Sequence, residues 1–160
     1  MILAVDVGNS NTTVGLFNGT GELLFRALLE TSRSKTRDQC AIELLGVFQL
    51  YGADACTVDG AILSSVVPPL TTIFTDAIAR LTGIPPMVVG PGIRTGLNIK
   101  AEIHNQLGSD IVASSVAAIA KYPSPIVMVD MGTATSLSLI VGSVYEGCII
   151  MPGRSEERRV

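Results

Sequence analysis

Long apolar runs, a basic surplus and paired cysteines are all missing from this 160-residue chain, and each absence narrows what it can be. No stretch approaches the roughly 18–20 uninterrupted apolar residues of a membrane span, although 48% of the residues are hydrophobic and only 16% are charged. With a mean hydropathy of +0.49, the apolar excess is expected in buried strands. No basic segment or cleavage site precedes the first apolar run, so no signal peptide is expected. Cys40, Cys56 and Cys148 are an odd, scattered set without a CxxC pair. They are expected to be buried free thiols of a cytoplasmic protein, not metal ligands. A formal net charge of −3 and a pI near 5.0 argue against nucleic acid as a partner, because phosphate-backbone binding needs a basic face. The one locally basic stretch, Arg33, Lys35 and Arg37, reads as a solvated loop. His104, the only histidine, reads as a surface loop residue. There is no Walker A motif, and Gly90-Pro91-Gly92 does not extend to GxGxxG, so a Rossmann site has little support.

What the chain does have is one phrase written twice. Ile2-Leu3-Ala4-Val5-Asp6-Val7-Gly8-Asn9-Ser10-Asn11-Thr12-Thr13 and Ile126-Val127-Met128-Val129-Asp130-Met131-Gly132-Thr133-Ala134-Thr135 are apolar runs ending in Asp-x-Gly and small polar residues. A second apolar run follows each. Glycine permits a tight turn whose backbone N–H groups approach an anion unobstructed. The aspartate at the strand end is placed to hold a cation, directly or through water. Two such hairpins suit a nucleoside triphosphate and its metal. The bland reading of each aspartate is a turn residue.

Along the chain, residues 2–7, 12–18 and 21–30 are predicted strands, with a turn at Asn18-Gly19-Thr20-Gly21. A helix follows over about 36–51, with Ala41, Leu44, Leu45, Val47, Phe48 and Leu50 as its apolar face. A buried strand at 60–64 leads to a helix opened by Pro68-Pro69 and ended by Gly83. A short strand at 86–89, a glycine-rich loop at 90–96 and a small-residue helix over 108–121 come next. The alanines of that helix (Ala113, Ala117, Ala118, Ala120) imply close packing. The pattern restarts with strands at 125–130, 135–141 and 144–150. This gives an α/β lobe over 1–123, the first three strands of a second, related lobe over 124–153, and an irregular tail over 154–160. Those three strands are expected to expose an apolar face unless something covers it.

The β-β-β-α-β-α unit with repeated Asp-x-Gly hairpins resembles the ribonuclease-H-like fold of the actin, Hsp70 and sugar-kinase ATPases. Five phrases in order narrow the resemblance: Asp6–Thr12, Ser64-Ser65-Val66-Val67-Pro68-Pro69-Leu70, Pro91-Gly92-Ile93-Arg94-Thr95-Gly96-Leu97, Gly108-Ser109-Asp110 and Asp130-Met131-Gly132-Thr133-Ala134-Thr135. Together they resemble the type III pantothenate kinases, which use ATP to make 4′-phosphopantothenate at the first step of coenzyme A synthesis. The resemblance implies that Asp6 holds the Mg²⁺-nucleotide and that Val7, Gly8, Asn9, Ser10, Asn11, Thr12 and Thr13 form its phosphate turn. It implies Asp130 at a monovalent cation, K⁺ or NH₄⁺, and Thr133 at the nucleotide. It also implies that Gly108, Ser109, Asp110 and Ile111 line the pantothenate pocket, with Asp110 as the base. A carboxylate of pKa about 3.9 cannot strip an alcohol beforehand, but it can orient the hydroxyl and collect the proton late. The competing reading of Asp110 is a helix N-cap. A homodimer in the cytoplasm is the family default.

Two departures stand out. The family's Gly-x-Asp-Arg has Ile111 in place of its arginine, and Lys100-Ala101-Glu102-Ile103-His104 replaces an Arg-Tyr-Asp-Asn-Pro type of stretch. A lost charged hydrogen bond costs roughly 1.5–3 kcal/mol, or about ten- to a hundred-fold in affinity. The donor half of the site is therefore better preserved than the acceptor half. After Met151-Pro152-Gly153 the charged tail departs from the family, as a truncation or an altered reading frame would, and the isolated chain is expected to have little or no kinase activity. The alternative reading is a non-catalytic nucleotide-binding regulator like the Bvg accessory factors.

Overall fold

Period-two alternation sets the first strand. In β1 (Ile2–Val7), Leu3, Val5 and Val7 are buried while Ile2 and Asp6 are exposed, as a pleated strand with one covered face requires. The computed structural model describes residues 1–90, 93–99 and 107–153. The chain divides into two compact units, Met1–Gly90 and Pro91–Val160.

In the first unit β1 pairs antiparallel with β2 (Asn11–Phe17), and β2 with β3 (Leu23–Glu30). On its other side β1 pairs in parallel with β4 (Gly60–Ser65), which pairs in parallel with β5 (Met87–Val88). The resulting mixed sheet has the order β3-β2-β1-β4-β5. Two helices make the connections. The first, α1 (Arg37–Leu50), starts in a capping box: Thr36 Oγ1 accepts from the Gln39 amide at 3.3 Å, and Gln39 Oε1 accepts from the Thr36 amide at 2.8 Å. The second, α2 (Pro68–Thr82), has proline in its first turn, where no amide is needed, and ends at Gly83 with φ +75°. Leu3, Val5 and Val7 join Leu44, Phe48, Leu70, Phe74 and Ile78 of these helices in one core.

In the second unit β7 (Ile126–Met131), β8 (Ala134–Val141) and β9 (Val144–Pro152) form an antiparallel meander. The β8–β9 turn places Gly142 at φ +61°. The two-residue β6 (Asn98–Ile99) runs parallel to the start of β9, giving the order β6-β9-β8-β7. Helix α3 (Ser109–Lys121) lies against β7.

The expected elements are present with ends shifted by a residue or two. A one-turn 3-10 helix (Ala55–Thr57) and β6 were not expected. Three expectations need correction. Leu45 and Leu50 of α1 are exposed; Cys40, Leu44, Val47 and Phe48 face the core instead, at the i, i+4, i+7, i+8 spacing of one helical stripe. Of the three thiols only Cys40 is buried, Cys56 being exposed and Cys148 half-buried. Ala113, Ala117 and Ala120 are exposed, and the buried residue of α3 is Ser115. The compact units divide after Gly90 and take α3 with the meander. His104, the Lys100–His104 stretch, Pro91-Gly92 and the 154–160 tail lie outside the described residues. The exposed apolar face is present: Val127, Val129, Met131, Leu139 and Ile149 share one side of the second sheet by register, and Met131 is 82% exposed.

Candidate active site

At the first hairpin, β1 ends and three residues (Gly8, Asn9, Ser10) carry the chain into β2. The Gly8 amide donates to the Asn11 carbonyl at 3.0 Å. A Cβ on Gly8 would stand 2.9 Å from that same oxygen, so the turn is this tight only because the residue is glycine. Asn9, Ser10 and Asn11 are exposed around it, and Asp6 is exposed one strand residue back. Register sets Asp6 opposite Thr13 on β2 and Ser64 on β4. Ser64 belonged to a phrase singled out in the sequence, but only the parallel pairing shows that it stands beside Asp6. These groups lie at the carboxyl ends of the parallel strands β1 and β4, the end at which open α/β sheets take ligands.

Two residues of the phrase turn their side chains inward. Val7 is fully buried. Thr12 is 1% exposed, and its hydroxyl is shared with that of Thr31 at 2.8 Å. Either can offer an anion only its backbone.

The second hairpin is a residue shorter. Gly132 and Thr133 alone connect β7 to β8, and the Gly132 amide donates to the Ala134 carbonyl at 3.0 Å. Asp130 is exposed and pairs in register with Ser136, while Thr133 is exposed at the tip. The chain end of β9 closes on this turn, with Pro152 opposite Ala134 and Gly153 buried against Gly132 and Thr133.

Asp110 sits in the first turn of α3. The N-cap is Gly108, whose extended backbone offers no side chain. Asp110 Oδ1 instead accepts from the Ile111 amide at 2.8 Å, where the helix dipole favours a negative charge. So Asp110 is not the N-cap, although it does meet a first-turn amide. Gly108, Ser109, Asp110 and Ile111 are all half-buried. Asp6 belongs to the first unit, whereas Asp110, Asp130 and Thr133 belong to the second.

No cluster of three or more His, Cys, Asp or Glu side chains among the described residues could cage a metal. Mg²⁺ is usually bound through one or two carboxylates together with substrate phosphates, and the exposed Asp6 carboxylate before the Gly8 turn is a donor of that kind. Cys40 does not compete as a nucleophile. Burial, and then the nearby Glu43 carboxylate, push its thiol up against a smaller opposing pull from Lys35.

The family model described as type III pantothenate kinase matches residues 2–158. The chain belongs to the type III pantothenate kinase family. Among its relatives, the type III pantothenate kinase of Listeria monocytogenes is 40% identical over 154 residues, covering 96% of this chain and 59% of the relative. That of a Geobacillus species is 41% identical with the same two coverages. The chain thus spans about three-fifths of the length of these relatives. Among solved structures, a Campylobacter jejuni protein provisionally placed with the Baf family transcriptional activators aligns at a TM-score of 0.53 and 19% identity, over 96% of this chain and 56% of that one. A Ppx/GppA phosphatase from Aquifex aeolicus aligns at 0.53 and 15%, over 97% and 53%. At these identities they show the fold alone, an α/β lobe of the ribonuclease-H-like kind. No helix among the described residues is long and apolar enough to cross a membrane.

Proposed function

We propose that the chain carries the nucleotide-binding part of an ATP-dependent kinase that phosphorylates pantothenate to 4′-phosphopantothenate, opening coenzyme A synthesis. The observation that carries this reading is membership of the family over residues 2–158, supported by the repeated Asp-x-Gly phrases at Asp6 and Asp130 and by the Gly108-Ser109-Asp110 phrase, which resembles the family's substrate motif.

Mg²⁺-ATP would supply the phosphoryl group and neutralise charge on it. Asp6 would hold the Mg²⁺, while the turn from Val7 to Thr13 presents backbone amides to the phosphates, with Asn9, Ser10, Asn11 and Thr13 adding side chains. Asp130 would hold K⁺ or NH₄⁺, and Thr133 would touch the nucleotide. Gly108, Ser109 and Ile111 would line the pantothenate pocket. Asp110 orients the acceptor hydroxyl and takes its proton as the new bond forms, since a loose transition state asks mainly for positioning and charge neutralisation. The lobe assignment is 1–123 and 124–153, with 154–160 as a tail. The working form is a cytoplasmic homodimer, with no nucleic acid or membrane partner.

The test is ATP-dependent phosphorylation of pantothenate with Mg²⁺ and K⁺ or NH₄⁺, by the chain and by a form extended with the remaining length of a relative. Asp110→Asn is assayed beside each. Turnover that Asp110→Asn abolishes while ATP binding persists supports the reading. ATP binding without pantothenate turnover in either form refutes the acceptor and favours a nucleotide-binding regulator.

A further inference from the structure

We propose that Gly153 is a positioning residue, whose lack of a side chain lets the end of β9 hold the Gly132–Thr133 turn at the nucleotide; this rests on the kinase reading above. A Cβ built on Gly153 would lie 2.2 Å from the Thr133 carbonyl oxygen, 2.6 Å from its carbonyl carbon and 2.7 Å from the Gly132 carbonyl oxygen. All three are backbone atoms, so no side-chain rotation relieves the contact. The reason is room and not conformation, because Gly153 is absent from the glycines at positive φ. Pro152 pairs with Ala134, so β9 is fixed up to the residue before the contact. The backbone of Gly153 therefore forms a floor under the turn.

The repeat within the chain supplies an independent observation. In the first hairpin the residue just after the third strand is Thr31, which also meets its turn. Its amide donates to the Ser10 carbonyl at 3.0 Å, and its hydroxyl pairs with that of Thr12 at 2.8 Å. In the second hairpin the residue just after the third strand is Gly153. Both copies thus brace the phosphate-side turn from the end of the third strand. The longer first turn is braced by hydrogen bonds, and the shorter second turn by direct backbone contact.

An alanine at 153 would have to push the turn back by about 0.8 Å to reach the 3.0 Å that real Cβ contacts respect. Displacements near 1 Å at a reacting site can cost on the order of a hundredfold. The experiment compares Gly153→Ala with two controls in the same sheet. Gly147→Ala lies on β9 with nothing within 4 Å of its added carbon, and Gly142→Ala at φ +61° destabilises the meander without approaching the turn. The readouts are hydrogen exchange of the Gly132 amide and the affinity for Mg²⁺-ATP. Gly153→Ala should speed Gly132 exchange and weaken Mg²⁺-ATP roughly ten- to a hundred-fold, as the loss of one charge-assisted hydrogen bond to a phosphate would, beyond any change in Gly142→Ala, and Gly147→Ala should do neither. Unchanged Gly132 exchange in Gly153→Ala overturns the brace. Faster exchange with wild-type affinity overturns the positioning role. Absence of Mg²⁺-ATP binding in both the wild-type chain and its extended form overturns the kinase reading instead, and exchange still decides whether Gly153 holds the turn. Should Gly153→Ala not fold, the unmutated chain decides: Mg²⁺-ATP should slow Gly132 and Gly153 together and leave Gly142 unmoved, and protection of Gly132 alone overturns the proposal.

Discussion

Replacing Thr12 by valine separates two roles that its place in the phosphate phrase confounds. The side chain is 1% exposed, and its hydroxyl is 2.8 Å from that of Thr31. Valine keeps the shape and deletes the hydrogen bond. A net intramolecular hydrogen bond is worth about 0.5–1.5 kcal/mol. Thr31 is half-buried, so water can partly replace the lost partner, and a cost near 1 kcal/mol is expected. In a chain of this size that lowers Tm by roughly 2–4 °C. The affinity for Mg²⁺-ATP should stay within about threefold of wild type, because the hydroxyl is committed to Thr31. Thr31→Val should cost a similar amount, and the double variant should reveal a coupling of about 0.5–1.5 kcal/mol. Urea unfolding of the four proteins measures the cycle, and calorimetry measures nucleotide affinity. A Thr12→Val chain of unchanged stability that binds Mg²⁺-ATP tenfold more weakly would refute the reasoning, since the hydroxyl would then serve the phosphates.

Tyr145 is fully buried, and its hydroxyl is 2.8 Å from that of Ser138, itself 1% exposed. Tyr145→Phe should therefore cost about 1–2 kcal/mol near neutral pH by leaving the Ser138 hydroxyl without that partner. Burial, reinforced by Cys148 against a lowering by the Ser138 bond, pushes the Tyr145 phenol up to about 12 from 10.0. Its folded pKa is raised, so its contribution is intact below pH 10 and is lost as pH climbs from 10 towards 12. Urea midpoints across that window should fall in the wild type, by up to about 3 kcal/mol, and fall less in Tyr145→Phe; parallel declines would show that the phenol is not responsible. At the acceptor side, Ile111→Arg supplies the charged donor that the family places after its aspartate. It should tighten pantothenate by about ten- to a hundred-fold with Mg²⁺-ATP affinity unmoved. An unchanged KM for pantothenate would show that position 111 does not reach the substrate.

Much of this was readable in advance because the signals are local. The alternation in Ile2–Val7, the proline opening α2 and the glycine ending it act within a few residues of where they are written. What escaped is non-local. Asn98–Ile99 is too short for any period and becomes a strand only because Val144 and Tyr145 lie alongside. In α1, apolar residues occupy 40, 41, 42, 44, 45, 47, 48 and 50, which defines no single stripe, so the sheet decides that Leu44 is buried and Leu45 is not. The Thr12–Thr31 pair spans 19 residues. The Gly153 contact spans 20 and requires the β8–β9 register. Asp6 and Asp130 stood out as candidates because the phrase carrying them repeats; Ser64 did not, because only the parallel pairing sets it beside Asp6.

The repeat also explains why the two units look so unlike despite a shared phrase. Aligning Asp6 with Asp130 sets Leu3, Val5 and Val7 against Val127, Val129 and Met131. The first three are the floor of the core beneath α1 and α2; the second three are exposed. Burying a side chain of this size is worth about 1.5–3 kcal/mol, so within this chain, which spans about three-fifths of its relatives' length, the same pattern anchors only the first sheet. Each turn also meets the end of its own third strand. The three-residue first turn is met by Thr31 through hydrogen bonds, and the two-residue second turn by the backbone of Gly153. Both contacts are made between residues far apart in sequence, so the Asp-x-Gly phrase alone specifies neither turn length nor the contact that backs it.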